Sequence, residues 1–224
     1  MPQPIAKRCV AEALGTFFLL AAVVGSGIMA ERLANGNTAL ALLANTVATG
    51  AALVALIISF AAVSGAHFNP VVTLSFALSR DLAWRDAPFY LLAQLAGGIA
   101  GVMAANTMFG LAAVQVSRHP RTGMAQVFSE FVATFGLLSV ILGASRFQVA
   151  VVAIAVGAYI SAAYWFTAST SFANPAVTVA RCLSDTFAGI RPADATGFVL
   201  AQIAGGIAAT FLFRWLRANR DDET

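Results

Sequence analysis

Two Asn-Pro pairs, Asn69-Pro70 and Asn174-Pro175, stand 105 positions apart in stretches without formal charge. A capping asparagine followed by proline at the first helical position is a typical helix start. Each pair therefore predicts a short helix, one ending near Arg80 and the other near Asp185. A helix N-terminus carries roughly half a positive charge. Two such ends that meet would repel cations and protons, while the two side-chain amides offer hydrogen bonds to a neutral solute.

Three titratable residues also lie in these apolar stretches. Glu12 and Glu130 occupy matching positions in two similar segments, and His67 comes two residues before Asn69. A carboxylate inside a membrane is costly and often functional, so one interpretation is a proton or cation relay. The symmetry of one glutamate per Asn-Pro segment favours the other interpretation, in which each accepts hydrogen bonds from irregular backbone. We expect His67 to brace the loop beside Asn69.

The composition indicates an integral membrane protein. The 224 residues are 59% hydrophobic and only 10% charged, with a mean hydropathy of +0.82, whereas soluble domains are about 25% charged. The net charge of +3 is scattered and gives no nucleic-acid footprint. Cys9 and Cys182 lack metal-ligand spacing. We predict no enzyme, catalytic residue, cofactor or metal, because no nucleophile–base pair, metal cluster or phosphate loop is present.

The apolar stretches must supply the elements that position the Asn-Pro pairs. A spanning helix needs ~20 apolar residues, and the charge-poor stretches hold six such spans. Leu33 to Ser79 and Phe147 to Ala180 are too long for one span each. In both stretches, the residues left over after one span contain an Asn-Pro pair. Each of these extra segments is therefore predicted to form a short helix that enters the membrane without crossing it.

The chain is an internal duplication. Ala-Glu-Ala-Leu-Gly-Thr-Phe (11–17) resembles Ser-Glu-Phe-Val-Ala-Thr-Phe (129–135), and Ala-Gln-Leu-Ala-Gly-Gly-Ile-Ala (93–100) resembles Ala-Gln-Ile-Ala-Gly-Gly-Ile-Ala (201–208). Each unit has three spans, so the two units enter the membrane from opposite sides and form an inverted repeat. We expect one channel domain, with repeat 1 at about 9–110 and repeat 2 at about 124–217. Irregular backbone at that depth must line a polar path.

These features identify the chain as resembling the major intrinsic protein (aquaporin) family. The two boxes, Asn-Pro-Val (69–71) and Asn-Pro-Ala (174–176), with Ser-Gly-Ala-His (64–67) before the first, carry the resemblance. It implies an all-α membrane protein with six transmembrane helices and two re-entrant half-helices, usually assembled as a homotetramer. The pore residues would be Asn69, Pro70, Val71, Asn174, Pro175 and Ala176. Val71 replaces the usual alanine, and we expect altered packing rather than lost function.

The resemblance also places a selectivity ring toward the outer side of the pore. Counted from the boxes, its members are Thr49, Ala162, Ser171 and Val177. Most family members have arginine at the last position, so this ring predicts a wider pore without a fixed positive charge. Arg181, four residues further on, has two interpretations. It either extends into the outer interface or leans back over the pore entrance.

The implied function is passive passage of small uncharged solutes without ions or protons. The segments 174–181 and 184–190 are most similar to bacterial members linked with arsenic resistance, which implies metalloid hydroxides such as arsenous acid. A mainly water-conducting pore and an ion-coupled transporter remain as alternatives. We expect the protein to lie in the plasma membrane with both termini in the cytoplasm. In that orientation eight basic residues face the cytoplasm and five face outward. The eight are Lys7, Arg8, Arg80, Arg85, Arg146, Arg214, Arg217 and Arg220.

Overall fold

The computed structural model describes residues 3–218, which form eight α-helices and no strand in that range. Arg220, one of the eight inward-facing basic residues expected above, lies outside these residues. The helices are α1 (Ile5–Leu33), α2 (Thr38–Ser64), α3 (Pro70–Leu78), α4 (Ala87–Met108), α5 (Met124–Ala144), α6 (Val149–Phe166), α7 (Pro175–Arg181) and α8 (Pro192–Ala218). The prediction of an all-α fold is confirmed.

Six of the helices, all except α3 and α7, are long and apolar enough to cross a membrane. Their outward faces carry large exposed apolar side chains, such as Leu43, Val47 and Ile58 on α2. Apolar surface of this extent is typical of contact with lipid rather than water. The prediction of six spans is confirmed, and the chain is a multi-pass membrane protein.

The helices follow the same order twice, as two spans, a short helix and a third span. In each half the first span packs on the third, α1 on α4 and α5 on α8. Glycines allow this close approach, because a Cβ on Gly97 would overlap the carbonyl of Ala13, and one on Gly205 would overlap that of Phe131. Each short helix also packs on the third span of the other half, α3 on α8 and α7 on α4. The pattern is that of an inverted repeat.

The two short helices are shorter than the sequence predicts, especially α7, which ends at Arg181 rather than near Asp185. The reason is that the backbone after Arg181 forms hydrogen bonds with another segment of the chain instead of continuing the helix. The carbonyls of Cys182 and Leu183 accept hydrogen bonds from the N–H groups of Ser117 and Gln115, at 2.8 and 3.0 Å. These contacts with the connection between α4 and α5 redirect the chain after about two helical turns.

Candidate pore and its constriction

The two box asparagines join the N-termini of α3 and α7. The Asn69 side chain accepts from the N–H of Val71 at 2.9 Å and donates to the carbonyl of Ala173 at 2.7 Å. Asn174 accepts from Ala176 N–H at 2.9 Å and donates to the carbonyl of Phe68 at 2.8 Å. Each amide therefore caps its own helix and holds the opposite loop. One of its two N–H donors remains for the cavity that both asparagines line.

The loops before the boxes have an unusual backbone. The backbone angle φ is positive at three equivalent positions in each repeat. In repeat 1 these are Gly65, Ala66 and Phe68, and in repeat 2 they are Thr170, Ser171 and Ala173. Five of the six residues are not glycine. Left-handed non-glycine residues cost about 1–2 kcal/mol each. In the described part of the chain no hydrogen bond occupies the carbonyls of residues 65–67 or 170–172. These oxygens are available to solutes along the cavity wall.

The two buried glutamates hold these loops. Glu12 accepts hydrogen bonds from the N–H groups of His67 and Phe68, at 3.0 and 2.7 Å. Glu130 accepts from those of Phe172 and Ala173, at 2.9 and 2.8 Å. Charge-assisted bonds of this kind are about twice as strong as neutral ones, and they offset the backbone strain. The geometry is that of the structural interpretation rather than a relay.

A glutamine links each glutamate to a half-helix, which the sequence reasoning missed. Gln94 donates to Glu12 at 2.8 Å and to the hydroxyl of Thr73 at 2.9 Å. Gln202 makes the equivalent pair, to Glu130 at 2.6 Å and to Thr178 at 2.8 Å. The matching segments 93–100 and 201–208 contained the signal. A glutamine stands at the same position in both segments, Gln94 in one and Gln202 in the other.

His67 braces the first loop, as its position suggested. Its Nδ1 lies 3.1 Å from the Thr73 hydroxyl, and its ring packs against Phe76 and Tyr90, with centroids 4.6 and 5.3 Å apart. The ring also lines the cavity. Its contacts therefore fix one wall of the pore.

Val71, the departure in the first box, is buried at 1% exposure. Its branched side chain fills the space above Gly206, where a Cβ would overlap Val71 Cγ1. At the equivalent place in the other repeat Gly98 meets the smaller Ala176, with no such overlap. The extra methyl groups thus pack against a glycine of α8 and leave the hydrogen bonds of the box in place.

A cavity of about 280 Å³ runs past both boxes. It is lined along nearly all of α6, from Val149 in the first turn to Tyr164 in the last. One wall is apolar, with Leu19, Leu53 and Val156 among its residues, and the box asparagines and loops 65–68 and 171–173 supply the polar wall. The cavity therefore offers hydrogen-bonding groups on one side and apolar surface on the other.

The structure brings together three of the four predicted ring residues, Thr49, Ser171 and Val177, on the cavity wall. Ala162 is exposed and is not among the residues that line this cavity, so its place in the ring stays a prediction. Tyr164, two residues later, lines the cavity instead and donates to the Thr49 hydroxyl at 3.3 Å. A bulky aromatic residue therefore stands on the cavity wall beside Thr49.

Two arginines converge above the ring. Arg181 is only 2% exposed, lines the cavity and places its guanidinium 3.4 Å from the ring centroid of Phe172. Arg121, from the connection between α4 and α5, lies 4.8 Å from the same centroid. Burial lowers the pKa of Arg121 to about 10, so the group stays protonated at neutral pH. Arg181 does not extend into the outer interface, and sequence reasoning missed both Arg121 and Phe172.

Sequence comparison agrees with this arrangement. The sequence profile of the family described as major intrinsic protein matches residues 2–146, which include the first box. The chain belongs to the major intrinsic protein family. Among relatives of this family, the chain is 57% identical over 212 residues to the aquaglyceroporin AqpS of Rhizobium meliloti, covering 95% of this chain and 91% of that protein.

More distant members of the major intrinsic protein family also match. The aquaporin NIP1-4 of Oryza sativa subsp. japonica is 33% identical over 220 residues, covering 96% of this chain and 78% of that one. The X-ray structure of the aquaglyceroporin from Plasmodium falciparum superposes with a TM-score of 0.75, covers 96% of both chains and is 20% identical. That likeness shows a shared fold.

Proposed function

We propose that this member of the major intrinsic protein family is a passive channel for small uncharged solutes, such as water and glycerol-sized polyols. The observation that carries the proposal is the cavity that passes both box asparagines with a polar and an apolar wall. The relatives described as aquaglyceroporins support it. The channel acts as a single domain built from the repeats at about 9–110 and 124–217.

The lining groups suit neutral rather than charged solutes. Among the described residues of the cavity wall, none is Asp or Glu, and the only titratable ones are His67, Tyr164 and Arg181. Glu12 and Glu130, the candidates for an ion relay, are fully buried, and backbone and glutamine donors occupy them. An ion-coupled transporter needs titrating or ion-binding groups on the solute path. The channel is therefore the better supported of the two.

The constriction is assigned to Thr49, Tyr164, Ser171 and Val177, just below Arg181. The hydroxyl of Ser171 is buried and has no protein partner in the described residues. A hydroxyl without a partner costs free energy unless a solute or water satisfies it. It favours solutes rich in oxygen, including uncharged metalloid hydroxides such as arsenous acid. A mainly water-conducting pore is the second candidate, and the bulk of Tyr164 favours it.

We also propose that the channel is a homotetramer in the plasma membrane with both termini cytoplasmic. The excess of basic residues on the inward side supports the orientation. Cysteine labelling from each side of intact cells tests the orientation, and the mass of the detergent-solubilised protein tests the assembly.

Stopped-flow measurements on proteoliposomes test the function with water, glycerol, urea and arsenite. Each flux should rise linearly with concentration and ignore a proton gradient. Val177→Trp should block the pore, because Val177 lines the cavity. Val179→Trp is the matched control, because Val179 lies on the same half-helix and is 40% exposed on its other side. A flux that saturates and depends on a proton gradient contradicts the proposed channel. So does an equal loss of flux in Val177→Trp and Val179→Trp.

A further inference from the structure

A second cavity lies behind the boxes, on the side of the half-helices away from the pore. It has a volume of about 470 Å³ and is lined by α3, α4, α7 and α8. In the described residues α4 and α8 both pack on the two half-helices but not closely on each other, which leaves this space between them. The box residues that line it are Pro70, Val71, Pro175 and Ala176, whereas the two asparagines line the pore. The first turns of both half-helices therefore form the floor of this cavity, which we call the lateral groove.

The lining of the lateral groove favours an apolar occupant over water. Its described lining residues include no charged, hydroxyl or amide side chain. The N–H groups of Val71 and Ala176 on its floor already donate to the box asparagines. A buried water needs two to four polar partners, and the groove does not supply them. Left empty, the groove would deprive its lining atoms of van der Waals contacts.

The length of the lateral groove matches one leaflet of a bilayer. Trp84, which is 56% exposed, lines one end just before α4, and the charged side chain of Arg85 beside it is 89% exposed. Tryptophan is typical of the membrane–water interface. From Ala87 through Leu91 to Leu95 the lining follows α4 toward the boxes. Eight residues of helix span about 12 Å, against about 15 Å for half of the hydrocarbon core.

We propose that the lateral groove binds one acyl chain of a membrane phospholipid, which packs on both half-helices from behind. The width of the groove favours such a chain over a helix of another protein. Spread over its length, the volume of about 470 Å³ corresponds to a cross-section of about 40 Å², roughly half that of a helix ~10 Å across. The adjoining face of α4 exposes Phe89 at 55% and Leu92 at 66%. The groove is therefore continuous with surface that already contacts lipid.

The bound chain acts on the helix junction rather than on the solute path. Leu95 of α4 and Ile203 of α8 occupy equivalent positions in the two repeats, and both line the groove. A chain that fills the space between them holds the two half-helices together from outside. Its binding should therefore stabilise the fold and leave the pore lining unchanged.

Native mass spectrometry of the full chain in detergent, with dioleoylphosphatidylcholine added, measures the binding. Leu91→Trp fills the groove and should lower the ratio of lipid-bound to lipid-free protomers about tenfold or more, equivalent to about 1.4 kcal/mol. Leu92→Trp is the matched control, because Leu92 is the next residue on α4 and does not line the groove. It should bind lipid as the wild type does. Added lipid should also raise the thermal unfolding temperature of the wild type and Leu92→Trp more than that of Leu91→Trp.

Fluorescence quenching tests the groove without filling it. The three tryptophans of the chain are Trp84, Trp165 and Trp215, and replacing two of them by phenylalanine leaves Trp84 or Trp215 alone. Trp215 is 72% exposed on α8 and does not line the groove. A dibrominated phosphatidylcholine, added at equal molar amount to the protomer in detergent, should quench Trp84 severalfold more than Trp215.

Several results overturn the inference. Equal lipid binding by the wild type and Leu91→Trp shows that the groove holds no acyl chain. An equal loss of lipid in Leu91→Trp and Leu92→Trp, or equal quenching of Trp84 and Trp215, assigns the lipid to the general apolar surface. A change in the oligomeric mass of Leu91→Trp without loss of lipid assigns the groove to a second copy of the chain.

Discussion

Replacement of Val177 by arginine is the most direct test of the constriction. Val177 is 5% exposed and lines the cavity beside Ser171, in the first turn of α7. Arginine adds four heavy atoms and a charge to a cavity of only about 280 Å³. Glycerol and metalloid hydroxides should lose tenfold or more of their flux, a barrier increase of about 1.4 kcal/mol or more. Water is smaller and should lose less.

The neighbouring arginine determines where the new side chain can go. Arg181 is four residues further along, about 6 Å up the helix axis. Two like charges at ~6 Å repel by about 3 kcal/mol at an effective dielectric constant of ~20. The new guanidinium therefore cannot fold outward toward Arg181 and stays in the cavity, where it narrows the path between Tyr164 and Ser171.

The assay is stopped-flow light scattering on reconstituted wild type and Val177→Arg, with protein amount and oligomeric state matched. Val177→Met is the control, because methionine lengthens the side chain without adding a charge. Glycerol flux should decrease in the order wild type, Met, Arg. If the water flux and the glycerol flux decrease in the same proportion, or if neither decreases, the constriction does not lie at Val177. The box crowded by Val71 is then the next candidate.

Three further predictions concern the scaffold and the ring. Glu130→Gln leaves one of two buried backbone N–H groups without a carboxylate oxygen to accept its hydrogen bond, and this should lower the free energy of unfolding by about 1–3 kcal/mol. An unchanged thermal unfolding temperature would contradict this. Gly206→Ala should destabilise by about 1–3 kcal/mol through overpacking against Val71, and Val71→Ala should rescue it in a double-mutant cycle, whereas additive effects refute the contact. Tyr164→Ala should raise glycerol permeability severalfold while Ala162→Leu leaves it unchanged, and the reverse result would restore Ala162 to the ring.

The sequence predicts the parts of the pore that depend on local rules or on repetition. An asparagine followed by proline specifies a helix start without help from the rest of the chain. The duplication then places the two starts in opposite orientations. The hydrogen-bonding role of Glu12 and Glu130 follows from the same symmetry, because each glutamate accompanies one irregular loop.

The sequence does not predict the features set by tertiary contacts. Left-handed backbone at Ala66, Phe68 and Ala173 has no signal in residue type, since these residues avoid that conformation unless their surroundings impose it. The absence of Ala162 from the described cavity wall has a related origin. The loop between α6 and the second box turns through several left-handed residues, so a fixed count along the chain does not locate the residue that faces the pore.

The symmetry of the scaffold also explains how selectivity can differ between the two ends of one pore. The hydrogen bonds of both boxes, both glutamates and both glutamines are nearly equivalent. The side chains that pack two residues before each box are not: His67 meets Phe76 and Tyr90, whereas Phe172 meets Arg181 and Phe198. Backbone geometry is therefore conserved between the repeats, whereas the arginine among the described cavity-lining residues, Arg181, belongs to the second repeat. A change of charge at that end should alter which solutes pass without disturbing the helix junction that forms the pore.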